Sequence, residues 1–294
     1  TLKQVTKISV NLNPETGYIS VENNGEGLDV VKHSGQGLYV PHVVFGVLLT
    51  SVNYDDEQVR LWGGKNGYGA KIVNIFSKVF TIETVDSHRK LHYTQTFREN
   101  MTIAEDPIIK AWTKAPYTRI TYLPDYARFG IKDHSVIDEW KLLTRRVYDI
   151  AGYTDPDVSI FLNEKKIQMK SFEDYMNRFI GPKSEAKRVY QDINDRWSVG
   201  VALSTDGEFH QVSFVNGIFT DHGGRHIGHI VDNLTKRLIA YYAEKSKKNK
   251  AADLKPEFIK KNLFVFVKCK IVNPSFDTQT KRELNTLVTK FGSR

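Results

Sequence analysis

The feature that most constrains the fold is a glycine-rich segment, Gly63–Lys71, which stands immediately before an apolar helical run ending at Phe76. Four of its nine residues are glycine, and glycine permits positive φ values that let backbone N–H groups approach a ligand closely. The unpaired N–H groups and the dipole of a helix N-terminus attract anions. Because Lys71 adds a positive charge one turn into the helix, the segment predicts a phosphate-binding loop.

Two familiar phosphate-binding motifs do not fit this segment. A Walker loop would close with Gly-Lys-Ser or Gly-Lys-Thr, which is absent, and the third glycine of the dinucleotide fingerprint is missing. A flexible surface loop is the alternative interpretation, since glycine clusters are common in loops. The helix start and Lys71 favour phosphate binding over that alternative.

A second glycine-containing loop, Asn23–Gly27, follows a predicted hairpin in which Ile8, Val10 and Leu12 share one face. A short polar side chain at the end of a strand can hydrogen-bond the edge of an adenine base, and the glycines let the chain pass close to that base. Asn-Gly is also an ordinary turn signal. The loop therefore becomes informative only in combination with the segment Gly63–Lys71.

Hydrophobic periodicity divides the chain into two halves that are both α+β. We place the domains at residues 1–152 and 153–294, because an amphipathic helix containing Trp140 and Val147 ends near Gly152. Further predicted helices lie at 43–50, 171–180, 227–238 and 280–290, and predicted strands at 78–85, 90–98, 117–123, 158–162, 187–193, 196–204, 209–217 and 262–272.

The composition favours anionic partners. The chain has 42 Lys and Arg residues against 34 Asp and Glu residues, for a net charge of +8. Nine basic residues and only three acidic ones lie between Lys236 and Lys261. A single cysteine, Cys269, excludes an intrachain disulfide, and no run of 18 apolar residues predicts a membrane span.

Several segments together resemble the ATPase region of eukaryotic-type (type IIA) DNA topoisomerase II, and others resemble the transducer domain that follows it. The ATPase-like segments are Asn23–Gly27, Tyr39–Pro41, Thr50–Asp56, Gly63–Lys71 and Arg145–Gly152, and the transducer-like segments are Asn194–Trp197, Ser213–Asn216, Gly223–His226 and Asn273–Lys281. The resemblance covers essentially the whole chain. It implies a GHKL-type α/β sandwich followed by a transducer domain of ribosomal S5 domain 2-like fold.

The resemblance implies ATP and Mg²⁺ as cofactors and assigns roles to single residues. Asn23 would read adenine; Ser51 and Asn53 would contact the sugar and phosphates, with Val52 at a position where the family commonly has serine. From the second domain, Gln279 and Lys281 would reach the γ-phosphate. The triphosphate would be wrapped by Gly64, Lys65, Asn66, Gly67, Tyr68, Gly69, Ala70 and Lys71. Lys65 stands where the family often has arginine, so a point charge replaces the planar guanidinium group.

In the family, the general-base glutamate and the Mg²⁺-binding asparagine lie on a helix that precedes the first hairpin. This sequence starts at that hairpin, without a start Met. We therefore expect the parent enzyme to hydrolyse ATP and this chain alone to be hydrolysis-deficient. We assign no metal ligands within the chain. The set Asp221, His222, His226 and His229 is interpreted as solvated or capping residues rather than as a zinc site.

The family also implies partners. Lys247, Lys248 and Lys250 would form a DNA-contacting loop that binds the backbone of a double-stranded DNA with little sequence preference; a solvated loop is the alternative. The full-length protein would be a homodimer whose ATP-driven gate passes one duplex through a transient double-strand break. A nuclear location would follow, with a viral enzyme as the alternative source, and no membrane partner is expected.

Two other functions stay open at this point. The first is a GHKL ATPase of the mismatch-repair or chaperone type, which should lack the Thr50–Asp56 loop and the placement of Gln279-Thr280-Lys281. The second is a hydrolysis-deficient nucleotide-binding or DNA-binding module.

Overall fold

The computed structural model describes residues 4–48, 50, 59–64, 67–246 and 254–293. The chain divides into two compact units, the first formed by Thr1–Asp55 with Gly64–Met169 and the second by Asp56–Gly63 with Lys170–Arg294. Both units combine helices with sheets, which confirms the predicted α+β class.

The first unit contains a large sheet with helices packed on it. Its strands are β1 (Lys7–Leu12), β2 (Ile19–Asn24), β3 (Ser77–Asp86), β4 (Leu91–Arg98), β5 (Ile103–Ala104), β6 (Ile108–Ala111), β7 (Tyr117–Pro124), β8 (Ser159–Leu162) and β9 (Lys165–Lys166), and its helices are α1 (Val40–Gly46), α2 (Gly69–Ile75) and α3 (Glu139–Tyr153). The strand order is β5-β4-β3-β7-β2-β1-β8-β9, with β6 also paired to β4. Short 3-10 helices cover Tyr126–Phe129 and His134–Val136.

The first unit extends beyond the boundary at residue 152 that the sequence predicts. Strand β8 pairs in parallel with β1, with Ile8 opposite Ile160 and Val10 opposite Leu162. Because this pairing adds β8 and β9 to the first sheet, the compact unit ends at Met169.

The predicted hairpin and the predicted amphipathic helix form one core of this unit. The hairpin alternation is confirmed, because Val10, Leu12 and Ile19 are buried together under Trp140 and Val147 of α3. Val136 lies in a 3-10 turn before α3 and is 78% exposed, so it does not share the buried face.

A second core places α1 and α2 on one face of the sheet. Phe45 of α1 and Val73 of α2 pack against buried Phe80, Ile82 and Phe97. The helix predicted from Pro41 is therefore present, with the proline in its first turn. It ends at Gly46 instead of residue 50.

The second unit is built around a smaller sheet covered by a long helix. Its elements are α4 (Phe172–Ile180), β10 (Arg188–Asn194), β11 (Trp197–Leu203), β12 (His210–Val215), β13 (Ile218–Phe219), β14 (Gly223–Gly224), α5 (Arg225–Ser246), α6 (Pro256–Lys261), β15 (Leu263–Cys269) and β16 (Glu283–Leu284), with a 3-10 helix at Val288–Lys290. The five-stranded sheet has the order β10-β11-β15-β12-β13. Ile227 and Val231 of α5 join its buried core. None of the described helices is long and apolar enough to cross a lipid bilayer.

The helix predicted at residues 280–290 is wrong. Strand β16 pairs in parallel with β14, and a Cβ on Gly224 would lie 2.4 Å from the Leu284 carbonyl oxygen, so this close approach requires glycine. Lys281 has a φ of 58°, which an α-helix does not allow. Pairing with a distant strand thus overrides the local helical pattern.

Candidate nucleotide-binding site

Asn23 lies at the end of β2, where the register sets it opposite Ile8 on β1 and Thr118 on β7. Its side-chain amide donates to the Asn24 carbonyl at 2.9 Å. The Thr118 hydroxyl lies 2.8 Å from the Thr84 hydroxyl, which is fully buried on β3. Directly opposed residues project from the same sheet face, so this face presents an amide and a hydroxyl side by side. Sequence reasoning missed Thr118 because only the register reveals it.

The glycine-containing loop Asn23–Gly27 packs against the end of β3. A Cβ on Gly27, whose φ is 75°, would lie 1.9 Å from the Val85 carbonyl oxygen, so only glycine fits here. The N–H of Leu28 donates to the Thr84 hydroxyl at 2.9 Å. The loop is therefore held against the same threonine that contacts Thr118.

Asp86 completes this attachment as a structural anion. It is 1% exposed and accepts hydrogen bonds from the N–H groups of Val30 and Arg89 and from the Arg89 guanidinium. Burial alone would raise the pKa of the Asp86 carboxyl, but these hydrogen bonds hold it below its usual value. An ionised, fully bonded carboxylate stabilises the loop and is unsuited to act as a catalytic acid.

The predicted phosphate loop leads into the start of α2. Among the described residues, a Cβ on Gly64 or Gly69 would meet no atom within 4 Å, and Gly67 has a φ of 65°. Helix α2 begins at Gly69, and its N-cap residue, Tyr68, makes no side-chain capping hydrogen bond. The described part of the loop can therefore direct backbone N–H groups towards a ligand. Lys65 and Asn66 lie outside the described residues.

Lys71 connects this loop to the other segment predicted to hold nucleotide. It is 1% exposed, and its Nζ donates to both the carbonyl and the hydroxyl oxygen of Thr50 at 2.8 Å. Burial lowers the pKa of Lys71. Thr50 directly precedes the predicted contacts Ser51, Val52 and Asn53, which lie outside the described residues.

The predicted γ-phosphate contacts lie on a turn of the second unit. Gln279 is exposed, whereas Lys281 is half-buried and its Nζ donates to the Gly63 carbonyl at 2.8 Å. Burial, and then the positive charge of Arg60, lower the pKa of Lys281. Sequence analysis identified the lysine but not this carbonyl partner.

The histidine set does not converge on a common point. His226 is fully buried with its Nε2 3.2 Å from the Thr220 hydroxyl, and burial lowers its pKa to about 3. Asp221 is paired with Arg282 at 2.9 Å. Among the residues that the structure describes, no three His, Cys, Asp or Glu side chains are grouped so as to hold a metal ion.

The predicted DNA-contacting residues Lys247, Lys248 and Lys250 lie outside the described residues. In the sequence they follow α5, which ends at Ser246 with Lys245 in its last turn, and precede α6, which begins at Pro256.

Known proteins with similar sequences are DNA topoisomerases. A family model described as DNA gyrase B matches residues 160–291. The probable DNA topoisomerase 2 of Dictyostelium discoideum is 45% identical over 290 residues, covering 98% of this chain and 19% of the relative. The DNA topoisomerase 2 of Caenorhabditis elegans is 42% identical over 294 residues, covering 99% and 19%. The chain thus spans about a fifth of the length of these curated relatives.

Solved structures agree over nearly the whole chain. The ATPase region of Saccharomyces cerevisiae topoisomerase II superposes with a TM-score of 0.88 at 39% identity, covering 99% of this chain and 74% of that one. The ATPase and transducer domains of DNA topoisomerase II from Balamuthia mandrillaris give a TM-score of 0.89 at 38% identity, covering 99% and 73%. The GHKL-type fold implied by the family resemblance is thereby confirmed. The chain belongs to the type II DNA topoisomerase family, whose ATPase and transducer region it resembles throughout.

Proposed function

We propose that the first unit binds ATP and that the second unit senses its γ-phosphate, as the nucleotide-operated part of an enzyme that passes one DNA duplex through a transient double-strand break. The observation that carries this proposal is the setting of Lys71. The buried ammonium of Lys71 belongs to the first turn of a helix whose N-cap residue makes no side-chain capping hydrogen bond. A Cβ on Gly64 or Gly69 would meet no described atom within 4 Å. These donors suit a group with several negative oxygens.

The base and the phosphates would engage different segments of this unit. The amide of Asn23 and the hydroxyl of Thr118 are paired across two strands and suit hydrogen bonds to adenine. The segment Gly64–Lys71 would hold the triphosphate, and Ser51–Asn53 the sugar and adjacent phosphates. An ammonium group has three N–H donors. Thr50 accepts two of those of Lys71, so the third can reach a phosphate oxygen.

Mg²⁺ would enter with the triphosphate, whose charge it partly neutralises when bound. Among the described residues, no three His, Cys, Asp or Glu side chains are grouped so as to hold it. The family resemblance places the Mg²⁺-binding asparagine and the general-base glutamate on a helix that precedes the first hairpin. We therefore assign neither role to a residue of this chain and propose that Thr1–Arg294 binds ATP without turning it over efficiently.

Lys281 and Gln279 would report nucleotide state to the second unit. A lysine that bonds the γ-phosphate gains a charge-assisted hydrogen bond, and it loses that bond when phosphate leaves. The lysine loop containing Lys247, Lys248 and Lys250 would contact the DNA backbone. Dimerisation and a nuclear location are further parts of this proposal, since the relatives are eukaryotic topoisomerases.

The proposal is tested by measuring nucleotide binding and hydrolysis together, on this chain and on one extended at its N-terminus. We expect both chains to bind ATP and only the longer one to turn it over. Lys71→Met should weaken ATP binding by about tenfold or more, the value of a hydrogen bond to a charged group. Lys141→Met is the matched control, because Lys141 is 86% exposed and pairs only with neighbouring Asp138 among its described contacts. Failure of the unmodified chain to bind ATP would refute the proposed function.

A further inference from the structure

Eight residues, Asp56–Gly63, belong to the second unit, although the sequence on both sides of them belongs to the first. We call the described part of this segment, Val59–Gly63, the strap. Its last residue, Gly63, is joined by a peptide bond to Gly64, the first residue of the segment Gly64–Lys71 that is proposed to hold the triphosphate. The chain therefore leaves the first unit, attaches to the second and returns directly into the loop.

Asn273 holds one end of the strap by two hydrogen bonds. Its side-chain Oδ1 accepts from the Arg60 N–H at 2.9 Å, and its own N–H donates to the Arg60 carbonyl at 3.0 Å. Arg60 is 4% exposed, and the bond from its N–H to Asn273 is partly buried. Asn273 has a φ of 44°, a left-handed conformation that asparagine tolerates better than most residues.

The other end of the strap is held by Lys281 and Ile218. The Lys281 ammonium donates to the Gly63 carbonyl at 2.8 Å. A Cβ on Gly63 would lie 2.1 Å from the Cδ1 of Ile218, so the strap packs against β13 as closely as glycine allows. The residue proposed to sense phosphate is thus already bonded to the chain that leads into the phosphate loop.

We infer that Asn273 is a positioning residue that clamps the strap to the second unit, so that the phosphate loop starts from a point set by that unit while Lys281 exchanges between the Gly63 carbonyl and the γ-phosphate. This inference rests on the proposed function. When Lys281 transfers to phosphate, the Asn273 hydrogen bonds and the packing of Gly63 against Ile218 keep the strap attached. Without the side-chain bond of Asn273, the loop entrance is less ordered when Lys281 departs, and the γ-phosphate contact must supply the free energy of ordering it.

Two substitutions of Asn273 distinguish the loss of its side-chain acceptor from its retention. Asn273→Gly removes the side-chain acceptor while glycine still adopts a φ of 44° without strain. Asn273→Asp keeps an acceptor oxygen for the Arg60 N–H and tolerates the same backbone. Asn163→Gly is the matched control, because Asn163 has a φ of 45° and its Oδ1 accepts from the Leu12 N–H at 2.7 Å within the first unit.

Two measurements on the chain Thr1–Arg294 test the clamp. The first is hydrogen exchange at the Arg60 amide, which should be slow in the unmodified chain, fast in Asn273→Gly and slow again in Asn273→Asp. The second is the affinity for the β,γ-imido analogue of ATP and for ADP. Asn273→Gly should weaken binding of the analogue two- to tenfold, the equivalent of one hydrogen bond, with little effect on ADP. Asn273→Asp should restore it, and Asn163→Gly should change both affinities equally or neither.

The outcomes separate this inference from the proposed function. If the unmodified chain binds neither nucleotide, the proposed function fails. If it binds both and Asn273→Gly lowers the two affinities by the same factor or not at all, the clamp is overturned. Should Asn273→Gly not fold, the unmodified chain still decides, because an Arg60 amide that exchanges as fast as an unstructured peptide excludes the clamp.

Discussion

Acidification should weaken the second unit through one histidine. His226 begins the buried side of α5, is 0% exposed and contacts the Thr220 hydroxyl through Nε2. Its Nδ1 is buried and has no hydrogen-bond partner among the described residues. Protonation would place a charged N–H there without an acceptor, and for this reason burial lowers the pKa of His226 from 6.5 to about 3.

The direction and size of the pH effect on stability follow from the difference between the folded-state and unfolded-state pKa of His226. Because the folded-state pKa lies below the unfolded-state value, the contribution to stability is complete above pH 6.5 and is lost as the pH falls from 6.5 towards 3. Each pH unit in that window removes about 1.4 kcal/mol from the free energy of unfolding. Between pH 7.5 and 5.0 the loss from His226 alone should be about 2 kcal/mol.

The assay is denaturant unfolding at a series of pH values, with hydrogen exchange in β15 to confirm that the second unit is being observed. His226→Phe keeps an aromatic ring but cannot titrate, so its free energy of unfolding should lose about 2 kcal/mol less than the unmodified chain between pH 7.5 and 5.0. His222→Phe, at an exposed position four residues earlier, should follow the unmodified chain. Parallel curves for the unmodified chain and His226→Phe would refute the reasoning.

Four further outcomes are expected. Gly27→Ala should destabilise the first unit by about 3 kcal/mol, since its Cβ would overlap the Val85 carbonyl; thermal unfolding checks this, and an unchanged midpoint contradicts it. Thr118→Val should weaken ATP binding two- to tenfold in calorimetry without loss of fold. An unaltered affinity would show that this hydroxyl does not contact ATP. Lys281→Ala should leave the fold intact yet abolish the nucleotide-dependent change in the distance between labels on the two units. An unchanged response would refute the role of Lys281 as γ-phosphate sensor. Replacing the three lysines of the 247–250 loop with alanine should reduce the slope of log K against log salt for duplex DNA by roughly 3, whereas an identical slope supports a solvated loop.

Local patterns predicted much of the first unit. The alternation of Val10 and Leu12 located the hairpin, and the glycines before Lys71 located the start of α2, because strand alternation and helix starts are set by neighbouring residues. The buried state of Lys71 was not predictable. Its partner, Thr50, lies 21 residues away and on another element.

The features that the sequence did not predict all depend on pairings between distant segments of the chain. Residues 280–290 carry a helical pattern, yet β16 forms because Gly224 lets a distant backbone approach Leu284. Strand β8 pairs with β1 in the first sheet, so the first compact unit runs to Met169 and not only to the end of the amphipathic helix at residue 152. Thr118 escaped notice for the same reason, since cross-strand neighbours depend on pairings between distant segments.

The strap also sets the order in which the molecule can be completed during synthesis. The bond from Arg60 to Asn273 spans 213 residues, and the bond from Lys281 to Gly63 spans 218. At ribosomal rates of about 5–20 residues per second, the emerging phosphate loop would wait on the order of 10–40 s for its anchor. Most of the first unit can form while the remainder is still being translated, but the entrance to its phosphate loop cannot. A nascent chain would therefore acquire its full response to nucleotide as one of its last steps, after the second unit has emerged.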